Sequence, residues 1–308
     1  MKKSKGLAEA SINREISLLE ECSKHPHVVD LYGVIRTSES VYVLMPIADN
    51  DVAAITKHHH LDEKQVIYIV RQLVSAVEFL HDKRIIHRDI KPSNILVLDN
   101  KLLLADFGLA CKIPSEKNGI KGVCGTTPYM APEVLCNEVY GVGVDMWATG
   151  VVAYELTHGE RPFSATGVCN STSSSGNSSR HAGAKRERNR ADGGGSGSYS
   201  VSESSGSIVS DGATTTDQSF SSPGKGGADE DACAEEASDR AKNQDVVLSK
   251  RALELNIVSG NYCVQASWVG EPGGDFISKL LTRKVSERMS ATQAAEHPWL
   301  GRRSTTSA

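Results

Sequence analysis

Four polar residues in the middle of this sequence are spaced to do chemistry. They lie within HRDIKPSNILVLDNKLLLADFGLA, residues 87–110. Asp89 and Lys91 sit two apart on a loop, Asn94 follows three later, and Asp106 opens a second loop. The runs ILVL (95–98) and LLLA (102–105) read as two short strands joined by a tight turn at Asp99–Asn100. Such an antiparallel pair brings Asn94 and Asp106 together at its open end. An amide carbonyl and a carboxylate are hard oxygen donors, which suit Mg²⁺ with nucleotide phosphates completing the shell. Asp89 adds a carboxylate able to accept a hydroxyl proton, and Lys91 adds a compact positive charge. The chemistry expected of this corner is the positioning of phosphates and the activation of a hydroxyl.

Several elements must hold that corner. Ahead of it, Val66, Ile69, Val70, Leu73, Val77 and Leu80 keep a 3.6-residue period, so the spacing predicts a long helix over 62–82. Asp62 with Gln65 has the pattern of a capping box at its start. A helix is expected at 8–22, with Ile12, Ile16 and Leu19 on one face, then strands near 30–36 and 40–46. After the corner, helices are expected near 143–157, 247–259, 274–283 and 290–297, the last opening on a Ser290/Gln293 capping pair. The fold class read from this order is α+β: a mostly helical body with small strand pairs.

Taken in order, HRDIKPSN, DFG at 106–108 and APE at 131–133 resemble the catalytic loop, metal loop and activation-segment end of the eukaryotic protein kinase family. One such motif is weak; three in order behind a long amphipathic helix are specific. The resemblance implies a bilobal fold, ATP and Mg²⁺ as cofactors, and transfer of the γ-phosphoryl group to protein Ser or Thr hydroxyls. It makes Asp89 the base, with Lys91 near the transferring phosphate, as in serine/threonine kinases. It makes Asn94 and Asp106 the metal ligands, and Thr126 of GTTPYMAPE the threonine that contacts the catalytic loop. Glu15 of NREISLL is similar to the mobile-helix glutamate that pairs with a strand lysine, for which Lys2 is the candidate. Met45, Ile47, Ala48 and Leu96 fall around the nucleotide, Met45 behind the adenine pocket and Ile47 and Ala48 in the hinge. Leu19, Leu31, His87 and Phe107 fall where the family stacks a regulatory spine. Glu133 with Arg288, and Asp145, are implied structural supports.

Within the family the signals divide. ASINREISLLEEC is similar to the cyclin-contacting helix of cyclin-dependent kinases, which implies a cyclin-like or other regulatory subunit there. GTTPYMAPEVL and DMWATGVVAYELTHGERPF are more similar to calcium/calmodulin-dependent or checkpoint-type kinases. Three residues before Gly125, where many kinases carry an activating phosphothreonine, stands Gly122. Arg88 would ordinarily pair with that phosphate. The remaining readings are a segment active without phosphorylation or one switched through Ser115, with Glu116 as a weak substitute.

The implied organisation is a partial N-lobe over 1–48, C-lobe over 49–163, a Ser/Gly-rich disordered insertion over 164–246, the rest of the C-lobe over 247–301, and a tail over 302–308. The insertion has too few apolar residues to offset its ordering entropy; its KRER at 185–188 and its serines are read mainly as a solvated tether. No Gly-rich loop precedes Glu15, which leaves Met1 to read as a cut edge or an alternative start. The competing expectation is therefore a catalytically impaired, kinase-like regulatory or scaffold protein. A formal net charge of −4 gives no basic field for nucleic acid. Seven scattered cysteines without a CxxC pair fit reduced thiols, and no apolar run reaches membrane-spanning length, so a cytoplasmic or nuclear protein without a membrane partner is expected. His58–His60 reads as an exposed helix end and not as a metal site.

Overall fold

The computed structural model describes residues 2–4, 9–113, 119–165, 246–264 and 266–301, with backbone only at 2–4 and 266–268. The side chain of Lys2, together with Ser115, Glu116, nearly all of the expected insertion and the tail, lies outside the described residues.

The elements follow in chain order. Strand β1 (Lys2–Ser4) precedes α1 (Glu9–Cys22), β2 (Gly33–Arg36), β3 (Val41–Leu44) and β4 (Asn50–Asp51). Helices α2 (Val52–His58) and α3 (Glu63–Asp82) lead to β5 (Ile85–Ile86), β6 (Ile95–Leu98), β7 (Lys101–Leu104) and β8 (Cys111–Lys112). Then come α4 (Pro132–Leu135), α5 (Gly143–His158), a helix α6 over 246–259, α7 (Ala266–Leu280) and α8 (Ala291–Ala295). This mixture of short antiparallel sheets and a helical body is the expected α+β class.

The first sheet has the order β1-β3-β2, with Lys2 opposite Val43 and Gly33 opposite Leu44. Two strands were expected here and three are present. A three-residue strand carries no readable periodicity; its backbone pairing with β3 defines it. Helix α1 buries Ile16, Leu18, Leu19 and Cys22 and packs against the turn that carries Phe107. Glu21 accepts from Lys112 on β8 at 2.9 Å, tying the helix to the strand after that turn.

Helix α3 begins where the capping box places it: the Asp62 side chain accepts from Gln65 N, and Gln65 Oε1 accepts from Asp62 N. Of its apolar stripe, Val66, Val70, Leu73, Val77 and Leu80 are buried and Ile69 partly so, and the helix packs on α5 and α8. Helix α5 is buried almost all round, which is why it reads as apolar without a polar face. Gly150 lets α7 approach closely, since a Cβ there would come within 2.8 Å of Leu280 Cβ. Two expectations need correction. Of helix α2 only the His58–His60 end was anticipated, because seven residues are too few for a periodic signal; Asp51 caps it by accepting from Ala54 N at 2.8 Å. Helix α7 starts at Ala266 and not near 274, and it is interrupted at Gly270, whose φ is 59°.

Candidate active site

The strand pair that should close the chemical corner forms in the expected register. Ile95 faces Leu104, and Ala105 N donates to the Asn94 carbonyl at 2.9 Å, so Asn94 and Asp106 end on adjacent loops. Asp106 is exposed and takes a left-handed φ of 64°, after which Phe107 turns into the core. That burial throws the neighbouring carboxylate outward.

Asp89 is the hub. Lys91 Nζ donates to its Oδ2 at 2.7 Å, Thr126 Oγ1 donates to its Oδ1 at 2.6 Å, and Asn94 Nδ2 donates to its backbone carbonyl at 2.8 Å and to Oδ2 at 3.1 Å. Lys91 Nζ also donates to Thr126 Oγ1 at 2.8 Å. The structure thus gathers Asp89, Lys91, Asn94 and Thr126, residues up to 37 positions apart, into one network. Burial alone would raise the Asp89 carboxyl, but the hydrogen bonds from Lys91, Thr126 and Asn94 outweigh it and hold it below the ordinary carboxylate range. The amide hydrogens of Asn94 are engaged by Asp89, which leaves its carbonyl oxygen as the atom suited to a cation. That oxygen and the exposed Asp106 carboxylate are a donor set that fits Mg²⁺.

A second buried carboxylate supports the loop. Asp145, 1% exposed, accepts from His87 N and Arg88 N, both at 2.9 Å, and meets His81 Nε2 at 3.0 Å. Burial would raise this carboxyl too, yet His81 and the backbone N–H groups of His87 and Arg88 hold it low and charged. They need to, because Arg88 adopts a φ of 69°, costly for a residue with a side chain. Burial lowers His87, keeping it neutral. Its Nε2 lies 3.0 Å from the Ala105 carbonyl and its Nδ1 accepts from Asp89 N at 3.4 Å, which fixes the tautomer as Nε2–H. The ring meets Phe107 edge-on at 5.1 Å, so the Asp89 and Asp106 loops share one buried contact.

Glu133 and Arg288 form the anticipated pair, bidentate at 2.6 and 3.0 Å, with Arg288 also bonded to the Thr282 and Gly143 carbonyls. Gly125, at φ 110°, lies so close to the catalytic-type loop that a Cβ would sit 2.5 Å from the Arg88 carbonyl. Leu19 and Phe107 are buried and Leu31 is partly buried against the same core. Met45 and Leu96 are half-buried at the core edge, Ala48 is half-buried, and Ile47 is 91% exposed. Glu15 lies on α1, half-buried and engaged in the structure, and β1 carries Lys2 on the sheet edge. His58–His60 are exposed at the end of α2, and among the described residues no cluster of His, Cys, Asp and Glu forms a ready metal cage.

Some contributors had no motif to reveal them. A cleft of about 520 Å³ opens beside Lys91 and Thr126, with His59, His60, Ser93, Tyr129 and Glu155 among its walls. Tyr129 Oη donates to Glu155 Oε2 at 2.6 Å across its floor. His81 was read only as a helix residue, although its i+5 and i+6 neighbours Ile86 and His87 lead directly into the loop it supports.

Comparison with known proteins gives this geometry a family. A model described as protein kinase domain matches residues 1–300. A probable myosin light chain kinase from Dictyostelium discoideum is 39% identical over 156 residues, covering 49% of this chain and 32% of the relative. Calcium/calmodulin-dependent protein kinase type 1 from Macrobrachium nipponense is 36% identical over 162 residues, covering 50% of this chain and 46% of the relative. The liver/testis phosphorylase b kinase gamma catalytic chain from Bos taurus is 37% identical over 160 residues, covering 49% and 39%. The chain therefore spans less than half the length of these curated relatives.

Proposed function

Because this chain belongs to the protein kinase domain family, we propose that it transfers the γ-phosphoryl group of ATP to Ser or Thr hydroxyls of protein substrates. The observation that carries this reading is the Asp89 network. Its carboxylate is held ionised by Lys91, Thr126 and Asn94, and Lys91 and Thr126 also line a cleft of about 520 Å³. The names of the relatives support a kinase of the calcium/calmodulin-dependent kind over the cyclin-dependent kind suggested by α1.

In this reading Asp89 accepts the proton of the substrate hydroxyl and orients its oxygen for attack. Lys91 sits where charge builds on the migrating group, and Thr126 fixes the Asp89 rotamer. Asn94 and Asp106 would hold Mg²⁺, which with ATP supplies the phosphoryl group and neutralises its charge. Met45, Ala48 and Leu96 would border the adenine, and Glu15 would pair with the strand lysine at Lys2. Most of the rate enhancement comes from positioning and fixed charge, since little covalent chemistry is asked of the protein. The free cysteines among the described residues support a reducing compartment such as cytosol or nucleus.

The test is transfer of labelled phosphate from Mg-ATP to a generic protein substrate, with phosphoamino-acid analysis and Asp106→Ala as control. Label on Ser and Thr that requires Mg²⁺ and Asp106 supports the reading. Label no higher than in the Asp106→Ala protein refutes it.

A further inference from the structure

Both ends of the segment between Asp106 and Thr126 converge on Arg88. Its Nε donates to the Leu109 carbonyl at 2.6 Å, just after the Phe107 turn. The Arg88 side chain also shares the lining of one small cavity with Tyr140 and Cys124. The Tyr140 hydroxyl donates to the Gly122 carbonyl at 2.9 Å. The Cys124 Sγ lies 3.7 Å from the same hydroxyl. Burial raises the Tyr140 phenol and keeps it protonated for the bond to Gly122.

Tyr140 is built to hold this place. It is 3% exposed, and its backbone forms a closed pair with Ile120, N–H to carbonyl at 2.9 Å in one direction and 2.8 Å in the other. Gly119 has no room for a Cβ against the Tyr140 carbonyl, which would lie 2.6 Å away. At Gly122 the φ of 128° turns the carbonyl toward Tyr140. Three residues on, Gly125 presses on the Arg88 carbonyl and Thr126 reaches Asp89. A cavity of about 20 Å³ borders Arg88, Cys124 and Tyr140. That is room for about one water and too little for a phosphoryl group.

We propose that Tyr140 is a positioning residue whose hydroxyl holds the Gly122 carbonyl, setting residues 122–126 so that Thr126 meets Asp89 without phosphorylation of the segment. The inference rests on the kinase reading above. It assigns to a fixed tyrosine the anchoring that a phosphate on the segment would give elsewhere in such a site.

The test compares the full chain with Tyr140→Phe, which keeps the ring and the pairing to Ile120 and removes only the hydroxyl. Losing a buried hydrogen bond of this kind predicts faster amide exchange over 119–126 by about tenfold, with α3 and α5 unchanged. It predicts a kcat lower by about tenfold with KM for ATP within about twofold. Phosphatase treatment of the wild-type chain leaves its turnover unchanged. Exchange over 119–126 that does not change, or that rises equally throughout the chain, overturns the proposal. So does a wild-type turnover that collapses on phosphatase treatment. If the wild-type chain transfers no phosphate, the kinase reading fails, while the exchange comparison still decides the Tyr140 link.

Discussion

Replacing Asp145 by Asn tests how the catalytic-type loop is held. Asp145 Oδ1 accepts from Arg88 N and Oδ2 from His87 N, both at 2.9 Å, and His81 adds a contact at 3.0 Å. These bonds hold Arg88 at a φ of 69°, a conformation that costs about 1–2 kcal/mol for a residue with a Cβ. Each hydrogen bond to a buried carboxylate contributes roughly 1.5–3 kcal/mol. Asn keeps the shape but offers one acceptor oxygen, so one backbone N–H must face an NH₂ group. One bond lost, with a donor opposed to a donor, gives an expected destabilisation of about 3 kcal/mol in urea titration. Release of the loop should lower kcat by about 10², with KM for ATP little changed.

The Asp145 carboxyl also links this site to pH. Its folded-state pKa is depressed, so the stability it contributes is complete above the unfolded value of about 3.9 and is lost as pH falls through the lower folded value. The Asn variant should therefore lose less stability than wild type on acidification below about pH 4. A variant within about 0.5 kcal/mol of wild type, with an unchanged kcat, would show that Asp145 does not hold the loop.

Other expected outcomes follow from single contacts. Glu133→Ala leaves the Arg288 guanidinium buried and uncompensated, since their side chains are 5% and 1% exposed; urea unfolding should show a loss of about 3–5 kcal/mol. Lys91→Ala removes the strongest favourable partner of Asp89; its carboxyl pKa should move up, shifting the acid limb of the rate profile to higher pH, and kcat should fall by about 10² or more. Gly150→Ala forces a methyl to within 2.8 Å of Leu280, and thermal unfolding should register a cost of about 1–3 kcal/mol from overpacking.

The parts of this fold legible in the sequence are those in which one local signal coincides with the final packing. The stripe of α3 and its Asp62–Gln65 box specify both the helix and its buried face, and the structure keeps both. The β6–β7 hairpin is equally local, so the meeting of Asn94 with the Asp106 loop could be read directly. Asp89 and Lys91 could be read from the same short run, but Thr126 needed the family resemblance, because it lies 35 positions from Lys91 and no spacing rule spans that loop. Strand β1 and most of helix α2 were illegible because three and seven residues carry no period. Tyr140 and His81 were missed for another reason: each acts through a hydrogen bond to a distant partner, Gly122 and Asp145 respectively. The break at Gly270 hid the first turn of α7 behind a glycine and a proline that ordinarily mark a loop.

In the proposed function Asp89 acts on the substrate hydroxyl and not on nucleotide affinity. Rapid-quench measurement of phosphate transfer by wild type and Asp89→Asn, with Mg-ATP binding titrated on the same preparations, tests it most directly. The variant is expected to bind Mg-ATP within about twofold of wild type and to transfer phosphate slower by about 10²–10⁴. Equal transfer by the two proteins, or a variant that fails only in binding Mg-ATP, would contradict it.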